Sequence, residues 1–294
     1  EEQKMEYILK NDDLEVKFTA FGGTLTSIKD NYGIEYLWQG NKEYWSGQAP
    51  VLFPICGSIR DDKAVIGENK TTAMPRHGIV RKKDFKFVDK TDSSITFLIE
   101  NDEEMLKQFP YEFKLYTKYT LNGKSIDITY EVENTGSEVM PFFVGGHPGF
   151  NCPLVEGEKY EDYVITFEEN ETLNVPTPVT KTGLIDVEHR TKFLDNEKEV
   201  KLNHEMFEVD AVIIDDLKSR KLTFSSKKSG KGIAMEFEQF PYLILWSSSN
   251  HGEFVAIEPW VGLSTCSDES DVFEEKRNVQ FVEGGSSKSY TFTI

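Results

Sequence analysis

The feature that most restricts this chain is a two-residue rhythm. Residues 7–10 and 14–18 alternate apolar with polar side chains across a turn at Asn11-Asp-Asp13, the pattern of half-buried strands. The rhythm returns at residues 24–28, crosses the turn cluster Asp30-Asn-Tyr-Gly33 and is expected to continue over 34–38. Residues 85–88 and 95–99 predict a hairpin around Lys90-Thr-Asp-Ser-Ser94. The signal is strongest after Phe113, where runs at 114–121 and 125–132 flank Asn122-Gly123, a dipeptide that supplies the positive φ of a tight hairpin. Further strands are expected at 139–144, 211–214, 221–225, 233–237, 242–246, 254–257 and 290–294, and an irregular segment with Pro and Thr at 170–183. Only residues 103–108 read as a helix, capped by Asn101 or Asp102 and halted before Pro110. Many short strands with hardly a helix make an all-β chain, an antiparallel sandwich or barrel.

No linker, repeat or low-complexity tract divides the 294 residues, so residues 1–294 are expected to form one domain, a length that large all-β folds reach. The composition, 38% hydrophobic with 21 Phe and 12 Tyr, supports a sizeable core and argues against disorder. The formal net charge of −18 repels nucleic acid and anionic membrane surfaces and favours a small polar partner. Cys56, Cys152 and Cys266 are odd in number and lack Cys-x-x-Cys spacing, against a disulfide framework or structural zinc. Glu1-Glu-Gln-Lys-Met5 is not apolar and no uncharged run reaches membrane-spanning length. A soluble protein of the cytoplasm, monomer or homodimer, is the expectation.

Four stretches carry polar residues that strand patterning alone does not call for. Val144-Gly-Gly-His147-Pro-Gly-Phe150-Asn-Cys-Pro153 holds a histidine among glycines and prolines, which is poor strand material. The chain is expected to leave its strand near Val144 and offer His147 from a stiffened loop as a general acid or base; a tight corner whose histidine bonds a carbonyl is the plainer alternative. Arg60 follows an apolar run and precedes Asp61 and Asp62. It is either a fork for oxygen-rich ligands or an ion-paired arginine. His77, in Met74-Pro-Arg-His77-Gly78, is a turn histidine or a ligand. Glu258 ends the apolar strand Phe254-Val-Ala-Ile257 before Pro259-Trp260, a setting that suits a carboxylate to base work or to pairing with an arginine. His189, His204 and His251 sit among polar residues and are expected to face solvent. A metal site of His77, His147 and Glu258 has no support from ligand spacing.

The stretches Gly145-Gly-His-Pro-Gly-Phe-Asn-Cys-Pro153 and Ile257-Glu-Pro-Trp-Val-Gly262 together resemble the aldose 1-epimerase (galactose mutarotase) family, in particular its bacterial branch associated with lactose and galactose operons. The resemblance extends from Phe21-Gly-Gly-Thr24 to the end of the chain, with Ser58-Ile-Arg60 and Arg76-His77-Gly78 in the expected order. It implies a large antiparallel β-sandwich, the galactose mutarotase-like supersandwich, with a cleft on the concave face of one sheet. It implies Glu258 as the base that takes the anomeric proton, His147 as the acid that protonates the ring oxygen, Arg60 and His77 as ligands of sugar oxygens, and Asp210 as an acceptor from sugar hydroxyls, with Asp215 or Asp216 as candidates for the same place. Trp246, Phe150 or Trp260 would floor the sugar. No cofactor is implied. The chain departs from the better-known galactose mutarotases at Arg60-Asp-Asp, where those show an asparagine with arginine, and in the shorter segment around His77. The alternatives are an epimerase of hexose 6-phosphates, for which Arg76, Arg81, Lys82 and Lys83 would supply a basic pocket, and a sugar-binding or sensing protein of the same fold.

Overall fold

The computed structural model describes residues 6–294. Its largest sheet has nine strands in the order Leu184–Lys201, Tyr163–Val179, Lys221–Ser226, Gly232–Glu236, Ser287–Thr293, Ser125–Asn134, Phe113–Asn122, Ser94–Glu100 and Lys86–Lys90. A second sheet runs Val212–Ile214, Tyr242–Trp246, Phe254–Trp260, Gly145–Gly146 and Val51–Leu52, with Gly149–Asn151 also paired to Phe254–Trp260. Tyr7–Lys10, Leu14–Thr19 and Thr24–Asp30 form a third, three-stranded sheet. All named strand pairs are antiparallel.

The two smaller sheets pack on one face of the large one. Phe18 of the first sheet lies 4.8 Å from Tyr119 and 6.4 Å from Phe97 by ring centroids, and Phe150 of the second lies 6.3 Å from Phe224. Alternation makes this possible. Along Phe113–Asn122 the buried side chains are Phe113, Leu115, Thr117, Tyr119 and Leu121, every second residue, and Ser125–Asn134 repeats the pattern. The resulting core is one contiguous cluster from Leu9 to Ile294, in which burying a side chain such as Phe97 contributes about 1.5–3 kcal/mol. The three cysteines are free and buried. The helix Glu103–Gln108 is capped by Asp102, whose Oδ1 accepts from the Met105 N–H at 2.7 Å.

Several expectations change. The Gly123 turn has positive φ at glycine alone, with Asn122 still paired to Ser125 in the ladder, so the turn residues are Gly123 and Lys124. Residues 34–38 make only isolated bridges, Lys29 to Glu35 and Leu37 to Phe150. Residues 170–183 are not a loop: they belong to a hairpin of Tyr163–Val179 and Leu184–Lys201 with four register shifts. Beyond Phe167 the first strand is laddered with the second alone, and the second bridges Cys266 at Ile185; along this ribbon bulges blur the period and Pro176 and Pro178 are tolerated.

Candidate active site

The central strand Phe254–Trp260 is longer than its apolar run, and Glu258 lies inside it. Val255, Ile257 and Pro259 face the large sheet, so Ala256, Glu258 and Trp260 face the other way. Its neighbour Tyr242–Trp246 sets Ile244 opposite Glu258 and Trp246 opposite Ala256, and Ile213 pairs with Ile244 in turn. On the other side the pairs are Gly145 to Trp260 and Gly149 to Ala256. Two residues in from either pair, His147 falls opposite Glu258. The glycines of this motif do not leave the sheet: Gly145, Gly146 and Gly149 are buried, lie in strands and have no positive φ. They are there because neighbours come close. A Cβ on Gly146 would lie 2.8 Å from Phe292 Cζ, and one on Gly149 2.7 Å from Trp45 Cζ3.

His147 Nε2 and Glu258 Oε1 are 3.0 Å apart, with side chains only 8% and 1% exposed. The approach lacks the alignment of a hydrogen bond, and His147 Nδ1, Glu258 Oε1 and Trp260 Nε1 are buried without a hydrogen-bond partner. Burying such groups unpaired costs stability, and three of them line one cavity of about 300 Å³, at the lower end of the range for small-molecule sites.

His77 enters from the segment after the strand Lys70–Ala73. Its N–H donates to the Gly57 carbonyl at 2.8 Å and its Nδ1 accepts from the Gly57 N–H at 3.0 Å. That pairing holds the ring with the proton on Nε2. Burial depresses its proton affinity well below the ordinary value, and His147, Arg76 and Arg81 add to the effect, so the ring is a neutral donor. It holds φ of 69°, an unusual backbone for a histidine, and Gly78 beside it admits no Cβ, which would fall 2.0 Å from the Phe53 carbonyl oxygen. The His77 ring stands 5.4 Å from that of His147 and 5.6 Å from Trp260.

Aromatic rings form the walls. Trp246 is 5.7 Å from His147, and Trp45 is 5.0 Å from His147 and 5.2 Å from Trp246. Trp45 comes from the irregular segment between residues 38 and 50, which carries no strand pattern. Pro178, Gly183, Leu184 and Ile185, from the hairpin that the sequence did not disclose, add another wall. Phe150 is excluded: it pairs with Val255, on the face turned to the core, and is fully buried.

Of the other residues singled out, Asp210 lines the cavity. Asp215 does not, being bound to Arg190 at 2.8 and 2.9 Å. Arg60 does not line the cavity either; it pairs with Asp271 and donates to the Glu269 carbonyl at 3.1 Å, and the cavity's arginines are Arg76 and Arg81. His189 and His251 are exposed, whereas His204 is half-buried, stacked between Tyr160 at 3.8 Å and His251 at 4.7 Å. Among the described residues no three His, Cys, Asp or Glu side chains are grouped to hold a metal ion.

Fold and cavity together define a galactose mutarotase-like β-sandwich. The chain belongs to the aldose 1-epimerase family, whose model matches residues 5–269. It is 50% identical over 293 residues to the chromosomal LacX protein of Lactococcus lactis subsp. lactis, covering 97% of this chain and 98% of that one. Among solved structures it resembles a galactose mutarotase related enzyme from Lactobacillus acidophilus, with TM-score 0.91, 29% identity and coverage of 98% and 96%. A galactose mutarotase-like protein from Lactobacillus casei follows, with TM-score 0.85, 29% identity and 98% of each chain covered.

Proposed function

We propose that the protein is an aldose 1-epimerase that interconverts the α and β anomers of an aldohexose by general acid/base ring opening. The observation that carries this reading is the His147–Glu258 pair, 3.0 Å apart and buried. In a cyclic hemiacetal the hydroxyl that must lose a proton and the ring oxygen that must gain one are bonded to the same carbon. Acid and base must therefore be neighbours.

Glu258 takes the proton from the C1 hydroxyl as His147, in its protonated form, gives one to the ring oxygen. The C1–O bond of the ring breaks and the free aldehyde forms. Rotation about C1–C2 offers the opposite carbonyl face, and closure with the roles reversed returns both protons. Nothing is oxidised or reduced, and no co-substrate enters the balance. Each proton transfer is of a kind worth about 10²–10⁴-fold. Neutral His77 donates to a sugar oxygen, Asp210 accepts from hydroxyls, and Trp246 with Trp45 and Trp260 offers apolar faces to the ring's C–H groups.

The test is anomer exchange followed by NMR for a panel of aldohexoses. Acceleration by the wild-type chain, lost by orders of magnitude in Glu258→Gln and His147→Asn while sugar still binds, supports the reading. Equal rates in wild type and both variants reject the roles, and binding without acceleration anywhere in the panel leaves a sensor.

A further inference from the structure

The register of the second sheet lays four side chains in one row across the cavity floor. His147 falls opposite Glu258, Ile244 pairs with Glu258 on the other side, and Ile213 pairs with Ile244. All four line the cavity, and strands about 4.8 Å apart space them evenly. The two ends of the row differ in chemistry. On one side of the carboxylate stands an imidazole; on the other stand Ile244 and Ile213, 2% and 6% exposed, which neither donate nor accept a hydrogen bond. Two residues along the chain from each, Trp246 and Ala211 extend that apolar end. The isoleucines have no proton to move, but their place beside the base decides which part of a sugar they meet.

C1 of a cyclic aldose has three heavy neighbours: the anomeric oxygen, the ring oxygen and C2. With the anomeric oxygen at Glu258 and the ring oxygen at His147, C2 is left on the side away from His147, over Ile244 and Ile213. A hydroxyl on C2 would lose its water there and find no partner in either side chain, which is costly. Asp210, the cavity's other carboxylate, lies outside this row, three residues before Ile213, with its Oδ1 accepting from the Ala211 N–H at 2.7 Å.

Resting on the epimerase reading, we infer that Ile213 and Ile244 are specificity-determining residues, and that the preferred substrate is an aldohexose without a hydroxyl on C2, a 2-deoxy or a 2-acetamido-2-deoxy sugar. The missing hydroxyl is what the two share. The first sets a methylene against the isoleucines; the second sets there a group that ends in a methyl.

The experiment compares glucose, 2-deoxyglucose and N-acetylglucosamine by anomer-exchange NMR, each rate taken relative to the uncatalysed exchange of the same sugar, with binding followed by calorimetry. The chains are wild type, Ile244→Thr, which adds a hydroxyl to the wall, and Ile244→Val, which shortens the side chain without one. Circular dichroism checks folding; if Ile244→Thr does not fold, Ile213→Thr and Ile213→Val, on the edge strand of the same sheet, take over the comparison. Wild type is expected to have a kcat/KM for at least one of the two C2-modified sugars about tenfold above that for glucose, the scale of one buried hydroxyl left unpaired. That ratio is expected to fall about fivefold or more in the threonine variant and to stay within about twofold in the valine variant. Which of the two sugars carries the preference tells methylene from acetamide. A ratio of one or less for both, or a ratio moved equally by threonine and valine, overturns the assignment and leaves the epimerase reading standing. If no sugar is accelerated the epimerase reading falls, and calorimetry then decides: tighter binding of a C2-modified sugar than of glucose, lost in the threonine variant, upholds the apolar wall, and equal binding overturns it.

Discussion

His147 lies opposite Glu258 because two short strand pieces, Gly145–Gly146 and Gly149–Asn151, pair in one register with Phe254–Trp260. The interruption at His147-Pro148 adds no residue to that register, and the Pro148 carbonyl still accepts from the Ile257 N–H at 3.1 Å. The residues proposed as acid and base are thus set opposite one another by the ladder of a buried sheet. Placement of this kind is what effective acid/base catalysis requires.

Groups that act on one bond in one step should not contribute independently. Glu258→Gln and His147→Asn are each expected to lower kcat by about 10²–10⁴-fold, and the double variant by about as much as the worse single one. Exchange NMR on all four chains measures this. Multiplicative losses would point to separate steps.

The depressed proton affinity of His77 gives a pH prediction. In the unfolded chain this histidine takes a proton near its ordinary value of 6.5, and in the folded chain only well below it. Between those values the unfolded state binds more protons, so stability that is complete above pH 6.5 is lost as pH falls toward the folded value. One such group gives a slope of up to about 1.4 kcal/mol per pH unit. His204, lowered by burial and then by His251, acts with the same sign. Urea unfolding from about pH 7.5 down to about 5 should show the decline. His77→Asn should flatten it, since asparagine can accept from Gly57 and tolerates positive φ; an unchanged slope rejects the assignment.

Trp45 touches His147, Trp246 and Phe254 by ring contacts of 5.0 to 5.3 Å. If it forms part of the sugar's wall, Trp45→Ala should raise KM by about tenfold, given about 0.5–1.5 kcal/mol for an aromatic contact beyond its area. Saturating sugar should also change the wild-type tryptophan fluorescence. A KM within a factor of two of wild type would limit Trp45 to packing.

Strand patterning disclosed the hairpin Phe113–Asn122 to Ser125–Asn134 nearly residue for residue, because both strands have one face in the core and the period is unbroken. His147 and Glu258 stood out as candidates because a histidine among glycines and a carboxylate beside an apolar run are chemically out of place. The reason for the glycines was not, since close approach by Phe292 and Trp45 is a tertiary fact. The ribbon formed by Tyr163–Val179 and Leu184–Lys201 was illegible because four register shifts destroy its alternation. Arg60 and Arg76 show the limit most clearly: both precede turn-like segments, and only the ion-pair partner, Asp271 for one and none among the described residues for the other, separates an ion-paired arginine from one lining the cavity.

Arg60 accordingly supplies a negative test. Its side chain and that of Asp271 are 30% and 57% exposed, and such pairs contribute about 0–1 kcal/mol. Arg60→Ala should leave kcat/KM within about twofold of wild type and shift the urea midpoint slightly. A tenfold loss of activity with unchanged stability would return Arg60 to the sugar site.

Gly146 tests whether the motif's glycines serve conformation or space. Its backbone has no positive φ, so alanine is conformationally acceptable there. Its added Cβ, however, would meet Phe292 Cζ at 2.8 Å and Tyr130 Oη at 3.0 Å, and both side chains are buried, at 2% and 3% exposure. Overpacking of this kind costs about 1–3 kcal/mol, and the backbone can relieve it by moving the strand Gly145–Gly146, next to His147. Gly146→Ala should lower the urea midpoint by that amount and reduce kcat more than it changes KM. Gly123→Ala is the counterpart, with φ of 57° and nothing within 4 Å of its Cβ; strain alone should cost about 1 kcal/mol with activity unchanged. If both substitutions left kcat intact, the close fit behind His147 would have no part in placing the acid.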